Sequence, residues 1–220
     1  MVDIEISNEI LSRCPAYKVA LVSAHIVNSG YSTLLWEEIS KIVSQYRSSY
    51  SVETIKKLKP IYDTREAYKK CGKEPSRYRP AAEALCRRVL KGNDLYNVNT
   101  AVDLVNVVSI VTGFSIGAFD AAKISGDKIT YGIGRSGEPY EGIGRGPLNI
   151  EGLPVWRDAL GGFGTPTSDH ERTKLEVESS QLLVLINSYG GLYGLDEAVG
   201  KLIELLIKYA CASNISSEIR

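Results

Sequence analysis

Residues 95–120 read LYNVNTAVDLVNVVSIVTGFSIGAFD, and this stretch decides the fold. Thr100 followed by Asp103 predicts a capping-box start, since each side chain can serve a free backbone N–H of the first turn. Gly113 predicts the end of the helix, because glycine takes the left-handed backbone that closes one. Between them Val102, Leu104, Val105, Val107, Val108, Ile110 and Val111 are apolar on nearly every side, which predicts a helix buried all round. Asp103, Asn106 and Ser109 interrupt that surface at a spacing of three and so share roughly one face. A buried polar group without a partner costs about 1–3 kcal/mol, so this stripe must be hydrogen-bonded or must face a cavity. The ordinary alternative is that Asp103 caps and Asn106 ties down a neighbouring loop.

Composition bounds what surrounds this helix. An apolar share of 44% and a charged share of 24% are those of an ordinary globular chain, and 220 residues suffice for one good core. Twenty-six basic residues balance 26 acidic ones, so no global field draws the protein onto nucleic acid, and any RNA contact must come from a local patch. There is no run of 18 apolar residues, and the start MVDIEISNEI is acidic rather than leader-like; the expectation is a cytoplasmic protein without a membrane partner. Cys14, Cys71, Cys86 and Cys211 are scattered, with no CxxC and only His25 and His170 beside them. Reduced thiols are expected, and neither a metal nor another cofactor is indicated.

In chain order, strands are expected at residues 4–6 and 17–27, the second ending at the Asn28-Ser29-Gly30 turn signal. A helix follows over 33–50, with Leu35, Ile39, Ile42 and Tyr46 inward. A shorter helix is predicted from Asp63, with Glu66 completing a capping box and Gly72 closing it, and another over 80–91 with Pro80 first and Gly92 after it. Glycines then crowd residues 126–164, where β-prone runs such as 128–133 alternate with turns. A strand at 182–189 precedes an amphipathic helix over 196–212, on which Leu195, Val199, Leu202, Leu206 and Tyr209 face inward. Glu197–Lys201 and Glu204–Lys208 are expected to pair on its surface, each worth ~0.2–0.5 kcal/mol. The whole reads as α+β.

Three motifs carry possible chemistry. Gly132-Ile-Gly134-Arg-Ser-Gly137 matches GxGxxG, but Glu138-Pro139-Tyr140 follows where a dinucleotide site needs a helix, and GIGR returns at 142–145; two glycine-rich strand–turn segments explain it better. Lys69, Lys70, Lys73, Arg77, Arg79, Arg87, Arg88 and Lys91 face only Glu74 and Glu83, with Tyr78 among them. Arginine forks suit phosphate and tyrosine stacks on bases, although a solvated helix face has the same composition. Ser168, Asp169 and His170 adjoin, but neighbours in an extended run point to opposite faces, which argues against a triad.

The segment NTAVDLVNVVSIVTGFSIGAFDAAKISGD (residues 99–127) resembles the Asn-Asn-Val-Val-Asp … His-Ala-Phe-Asp stretch of the editing domain of the bacterial phenylalanyl-tRNA synthetase β subunit, the B3/B4 domain. GGFGTPTSDHERTKLEVES (161–179) is similar to its Gly-Gly-x-x-Ser-Glu-Val region, and CGKEPSRYRPAAEALCRRVLKG (71–92) to stand-alone members. The resemblance spans roughly 62–189, with the motifs in order. It implies an α+β fold with a β-sandwich-like core flanked by helices, as one domain over 1–220. Residues 1–60 form its amino-terminal part and 195–212 its last helix. In the synthetase this domain hydrolyses tRNA mischarged with tyrosine.

Residue by residue, the resemblance makes Asn106 the pocket asparagine and puts Val105 at a family threonine. Gly117 falls at the pocket histidine, and Asp169 at the glutamate that contacts the tyrosine hydroxyl. Ser168, Gly161 and Gly162 fall in or near the same pocket. The expectation is a stand-alone domain that binds aminoacyl-tRNA and hydrolyses a mischarged ester in trans. Asn106 and Asp169 would be its catalytic pair, with Arg77, Arg79, Arg87, Arg88 and Lys91 on the tRNA; no DNA partner is expected. The alternative is a non-catalytic RNA- or amino-acid-binding module with a degenerate pocket. Nothing resembles a synthetase catalytic core, so the chain is not expected to charge tRNA.

Overall fold

The computed structural model describes residues 2–220. The chain runs β1 (Asp3–Ile6), α1 (Asn8–Arg13), β2 (Lys18–His25), α2 (Thr33–Ser49), α3 (Lys59–Lys70), α4 (Ala81–Leu90), α5 (Thr100–Thr112) and β3 (Ile116–Asp120). It continues through β4 (Lys128–Ile133), β5 (Glu141–Gly142), β6 (Gly146–Pro147), β7 (Pro154–Asp158), β8 (Gly161–Gly164), β9 (Gln181–Ser188), α6 (Leu195–Ala210) and β10 (Ser213–Ile219).

Two four-stranded sheets result, ordered β1-β4-β7-β8 and β10-β2-β9-β3, with β5 and β6 as a small separate hairpin. All pairings are antiparallel except β1 with β4. The strand QLLVLINS is apolar on both faces because both are covered. Leu183 and Leu185 join Val19, Leu21, Tyr131, Trp156 and Phe163 between the sheets. Leu182, Val184 and Ile186 join Ala20 and Val22 beneath α2, α4, α5 and α6. The layers are therefore sheet, sheet and helices: an α+β fold with a β-sandwich core flanked by helices.

The sandwich interior is also tied by polar groups. Asn187 Oδ1 accepts from Tyr17 Oη at 2.7 Å and from Trp156 Nε1 at 3.1 Å, so one amide on β9 holds both β7 and the approach to β2. Tyr131 and Tyr189 share a hydroxyl hydrogen bond at 2.5 Å, and the Tyr17 ring stacks on Tyr131 at 4.9 Å.

Helix α5 is buried nearly all round and ends at Gly113 with φ of 80°, where a side chain would be strained. Its cap differs from expectation by one residue. Asn99 Oδ1, not Thr100, accepts from Val102 N at 3.0 Å, while Thr100 Oγ1 meets Ser29 Oγ at 2.7 Å. Asp103 is drawn away from the helix end by better partners: it accepts from Trp36 Nε1 at 3.0 Å, Asn97 Nδ2 at 2.8 Å and Val98 N at 3.0 Å. Ser109 donates to Phe114 O at 2.6 Å. The loop-tying role thus falls to Asp103, and Asn106 makes no side-chain hydrogen bond among the described residues.

Other differences have local causes. Helix α3 begins at Lys59 rather than near Asp63, since Pro60 is already set for a first turn and Lys59 pairs with Asp63 at 2.7 Å. On α6, Lys201 pairs with Glu204 at 3.2 Å and Lys208 reaches Glu38 of α2 at 2.7 Å, so neither expected pair forms. Strand β10 was not expected: SNISSEI carries little apolar signal, and its place comes from the open edge of β2. No helix among the described residues is long and apolar enough to cross a membrane.

Replacing Asn187 with Ala leaves the Tyr17 hydroxyl and the Trp156 indole N–H buried without an acceptor. The expected loss is about 1–3 kcal/mol of stability in urea unfolding; an unchanged midpoint would show that the amide carries no such bridge.

Candidate functional site

Strand β3 is the last strand of its sheet and β8 the last of the other, and Gly117 of β3 and Gly164 of β8 both approach the Phe119 ring and the Asp169 carboxyl. At the β3 edge a cavity of about 170 Å³ opens between three walls. Helix α5 supplies Val102, Val105 and Asn106, whose spacing of three and four puts them on one face. Strand β3 supplies Ile116 and Ala118, alternate residues on one side of the strand. The segment after β8 supplies Asp169, Lys174 and Leu175, while Val98 and Ile143, both well exposed, stand at the mouth.

Asp169 is the one acid in this cavity. Its Oδ2 accepts from Ala118 N at 3.2 Å, so the carboxyl takes a backbone donor on the open edge of β3. Room for it is made by two missing side chains. A Cβ on Gly117 would lie 3.2 Å from Asp169 Oδ1 and 2.5 Å from Phe119 Cζ; a Cβ on Gly164 would lie 3.5 Å and 2.6 Å from the same two atoms. The Phe119 ring, set edge-on to Phe163 at 4.8 Å, backs the carboxyl on the sandwich side.

The segment carrying Asp169 is held from both ends. The carbonyl of Ser168 accepts from Tyr140 Oη at 2.8 Å and Thr165 Oγ1 at 2.9 Å, and that of Asp169 accepts from Ile143 N at 3.0 Å. His170 N donates to Phe163 O at 2.9 Å, and Arg172 forks onto Asp158 at 2.9 and 3.0 Å. Asp169 is therefore presented by fixed backbone rather than by a free loop.

Burial of the Asp169 carboxyl pushes its pKa up to about 8, opposed only by the Ala118 N–H. The residue keeps accessible surface where it lines the cavity, yet no cation among the described residues pairs with it; Lys174 is engaged by Glu171 at 2.9 Å. At neutral pH most Asp169 carboxyls keep their proton, so the group offers one O–H donor and spare acceptor capacity. Asn106, across the cavity and partly exposed, offers an amide donor and acceptor that no described protein group uses. A cavity of about 150 Å³ is enough to hold a benzene ring. The space between Asn106 and Asp169 thus matches one aromatic side chain, with a polar group at either hand.

The expected site residues separate cleanly. Asn106, Asp169 and Val105 line the cavity together. Gly117 does not: its Cβ direction points into the sandwich, where Phe119 already sits, so a histidine there would have to displace that ring. Ser168 contributes backbone, its hydroxyl turned to Asp169 O at 3.4 Å. Gly161 and Gly162 lie further along β8, opposite Asp158 and Arg157, with Gly162 against Tyr140. The residues that sequence reasoning missed are Gly164, Phe119 and Tyr140. The first two stand in the quoted motifs GGFG and GAFD, but only the fold brings them to Asp169.

The basic segment is partly neutralised from within. Glu83 is buried and takes Arg65 Nη1 at 2.7 Å, Arg87 Nε at 2.8 Å and Arg79 Nε at 3.8 Å. Three guanidinium groups against one carboxylate leave a surplus of positive charge, and the Arg79 Nε is buried without a hydrogen bond. Lys73 is consumed inside, donating to Asn149 O at 2.9 Å and Glu151 O at 2.5 Å, with its ammonium 3.8 Å above the Tyr78 ring. Arg88 stacks on Tyr96 at 3.7 Å, while Arg77 and Lys91 are exposed. A larger hollow of about 490 Å³, beside His25 and Gln181, shares no residue with the Asp169 cavity. Among the described residues no cluster of three or more His, Cys, Asp or Glu side chains is placed to hold a metal ion.

Residues 63–189 match the B3/4 domain. The chain belongs to the B3/4 domain family. The matched region contains every residue of the Asp169 cavity, from Val98 to Leu175. No curated protein matches the chain. Among solved structures it is similar to an N-terminal fragment of the phenylalanyl-tRNA synthetase β-subunit from Pyrococcus horikoshii, at 13% identity and a TM-score of 0.48 over 100% of this chain and 50% of that one. It thus spans half the length of that fragment.

The raised pKa of Asp169 gives this B3/4 domain a signed pH dependence. Between the ordinary aspartate value of 3.8 and about 8, the unfolded chain has lost the proton and the folded one keeps it. The folded state binds more protons, so stability falls as pH rises through that window. Asp169→Asn removes this contribution while Asp103, raised in the same direction by its burial, acts equally in both proteins. Urea unfolding at pH 5 and pH 7.5 is expected to show the steeper loss in the unmodified protein; equal losses would mean that Asp169 ionises freely.

Proposed function

We propose that this B3/4 domain binds aminoacyl-tRNA and hydrolyses a mischarged ester in trans. The observation that carries the reading is the convergence of Asn106 and Asp169 on one cavity the size of an aromatic side chain. By resemblance in sequence, these two positions correspond to the editing pocket. We take residues 1–60 as part of the same unit, because β1 and β2 complete its sheets.

In this reading the aminoacyl side chain enters between α5 and β3, and the terminal ribose stays at the mouth near Val98 and Ile143. The protonated Asp169 and the Asn106 amide hold the aminoacyl group and a water against the ester. Hydrolysis then rests on positioning and on donors aimed at the developing oxyanion. Discrimination follows from complementarity: a site that bonds a substrate hydroxyl rejects an analogue without it by roughly 10⁴-fold or more. Asp169 is one methylene shorter than the family glutamate, so a substrate hydroxyl must come closer to the β3 edge to reach it.

The alternative, an amino-acid-binding module without catalysis, is favoured by one observation. The position of the family histidine is Gly117, and Phe119 fills the space a side chain there would need. Release of labelled amino acid from a panel of correctly and incorrectly charged tRNAs separates the two. The expected outcome is release from one mischarged species, reduced at least about tenfold in Asn106→Ala and in Asp169→Ala. No release from any species, with saturable thermal stabilisation by a free amino acid, would replace hydrolysis with binding.

The basic segment makes its own prediction. Replacing Arg77, Arg79, Arg88 and Lys91 together with Ala, and sparing the Arg87 that neutralises Glu83, is expected to weaken tRNA binding and flatten its salt dependence. The slope should fall by about one for each phosphate no longer neutralised, measured by titration at several salt concentrations. An unchanged slope removes this face from the interface.

A further inference from the structure

Two exposed tyrosines stand on the surface that joins the arginines of α4 to the mouth of the Asp169 cavity. Tyr96 lies on the irregular segment between α4 and α5 and is 55% exposed; Tyr31 lies on the loop before α2 and is 58% exposed. Neither ring hangs free. The Arg88 guanidinium sits 3.7 Å from the centroid of the Tyr96 ring, and its Nη1 donates to the Tyr96 hydroxyl at 2.8 Å. The Tyr31 ring lies within 8° of parallel to that of Trp36, which is itself anchored through Nε1 to Asp103. Each tyrosine is braced on one side while more than half of it stays in water.

The backbone beneath them is fixed. Arg47 of α2 donates to Val89 O at 3.0 Å and to Asn93 O and Asp94 Oδ1 at 3.1 Å, which pins the start of the Tyr96 segment. Further along it, Asn97 Nδ2 reaches Gly30 O at 3.3 Å and Thr100 N donates to Ser29 O at 2.8 Å, so the Tyr31 loop lies along the same segment. That segment also carries Val98, half exposed, to the cavity mouth. Large apolar side chains held in water side by side on fixed backbone mark an interaction surface.

We propose that Tyr96 and Tyr31 form a stacking platform for the bases of an unpaired 3′ RNA strand, which runs from the arginines of α4 to the cavity mouth. This rests on the reading of the cavity as the place of the aminoacyl group: the terminal ribose carries the ester, so the last bases of the strand must lie beside the mouth. Flat ring faces suit bases of any sequence, and the Arg88 guanidinium adds a cation beside the first ring. Asp94, the acid closest to that ring in sequence, is held by Arg47, and Lys91 is exposed, so the phosphates of the strand meet surplus positive charge. A protein partner would match the apolar side chains alone; the guanidinium and ammonium groups beside them match a polyanion. A duplex keeps its base faces stacked on one another and cannot use the rings.

The test titrates the full chain with the single-stranded RNA ACCA, its last base replaced by a fluorescent aminopurine whose emission falls on stacking. Emission is expected to be quenched, and Tyr31→Ala and Tyr96→Ala are each expected to weaken binding about tenfold. Tyr31→Phe and Tyr96→Phe should bind nearly as the unmodified protein does, since the ring and not the hydroxyl stacks. Both side chains are exposed, so all four variants should keep the melting temperature. Hydrolysis is not needed for this readout, and Asp169→Ala should leave it unchanged. Tenfold losses without release from any charged tRNA would keep the platform and remove hydrolysis. Unaltered RNA binding in both alanine variants, with release from a mischarged tRNA intact, would overturn the platform and leave the reading of the cavity in place. An absence of quenching, or equal quenching when the RNA is annealed into a blunt duplex, would also overturn it.

Discussion

The double burial of β9 is the constraint on which the rest of the structure depends. Its odd and even residues feed two different cores, one against the second sheet and one against the helices. A strand placed this way must have neighbours on both edges and layers on both faces. Strand β2 from the amino end and β3 from the middle of the chain supply the edges; α5 and α6 and the second sheet supply the faces. The amino-terminal segment outside the 63–189 match is therefore inseparable from that match's geometry, because β9 pairs with β2 over all eight of its residues.

The same constraint places the cavity. With β2 on one side of β9, only β3 remains on the other, and the sheet ends there. Helix α5 lies across the helix-facing side of that edge, so Asn106 looks toward β3, and the segment after β8 brings Asp169 from the second sheet. The site is the seam between the layers. Its polarity follows from the seam too: Phe119 and Phe163 make one side apolar enough to hold a proton on Asp169, while the mouth stays open.

Much of this was legible in the sequence, and the reasons for the rest are specific. The long helices could be read because their caps and periodicities are local: Gly113 ends α5 and Gly92 follows α4. The choice of Asn99 over Thr100 as the cap could not be read, since the Thr100 hydroxyl is engaged by Ser29 and Asp103 by Trp36, both far away in sequence. Strand β10 escaped notice because serines carry no β signal and its position is set by the edge of β2. Asn106 and Asp169 were legible through resemblance, whereas Gly164 and Phe119 matter only because two sheets bring GAFD and GFG together. The internal pairing of the basic run was not legible either: Glu83 binds three arginines once folded, Arg79 and Arg87 four residues to either side of it and Arg65 from α3.

The hydrogen bond from Ala118 to Asp169 has a consequence for solubility. An open strand edge is a template on which another chain can add, and proteins blunt such edges with charge, bulges or cover. Here a single carboxyl stands where the backbone of a fifth strand would begin, and it closes the donor at the centre of β3. The group that lines the cavity is thus also the stopper of the sheet. A change at this position therefore alters the cavity wall and the exposed sheet edge together.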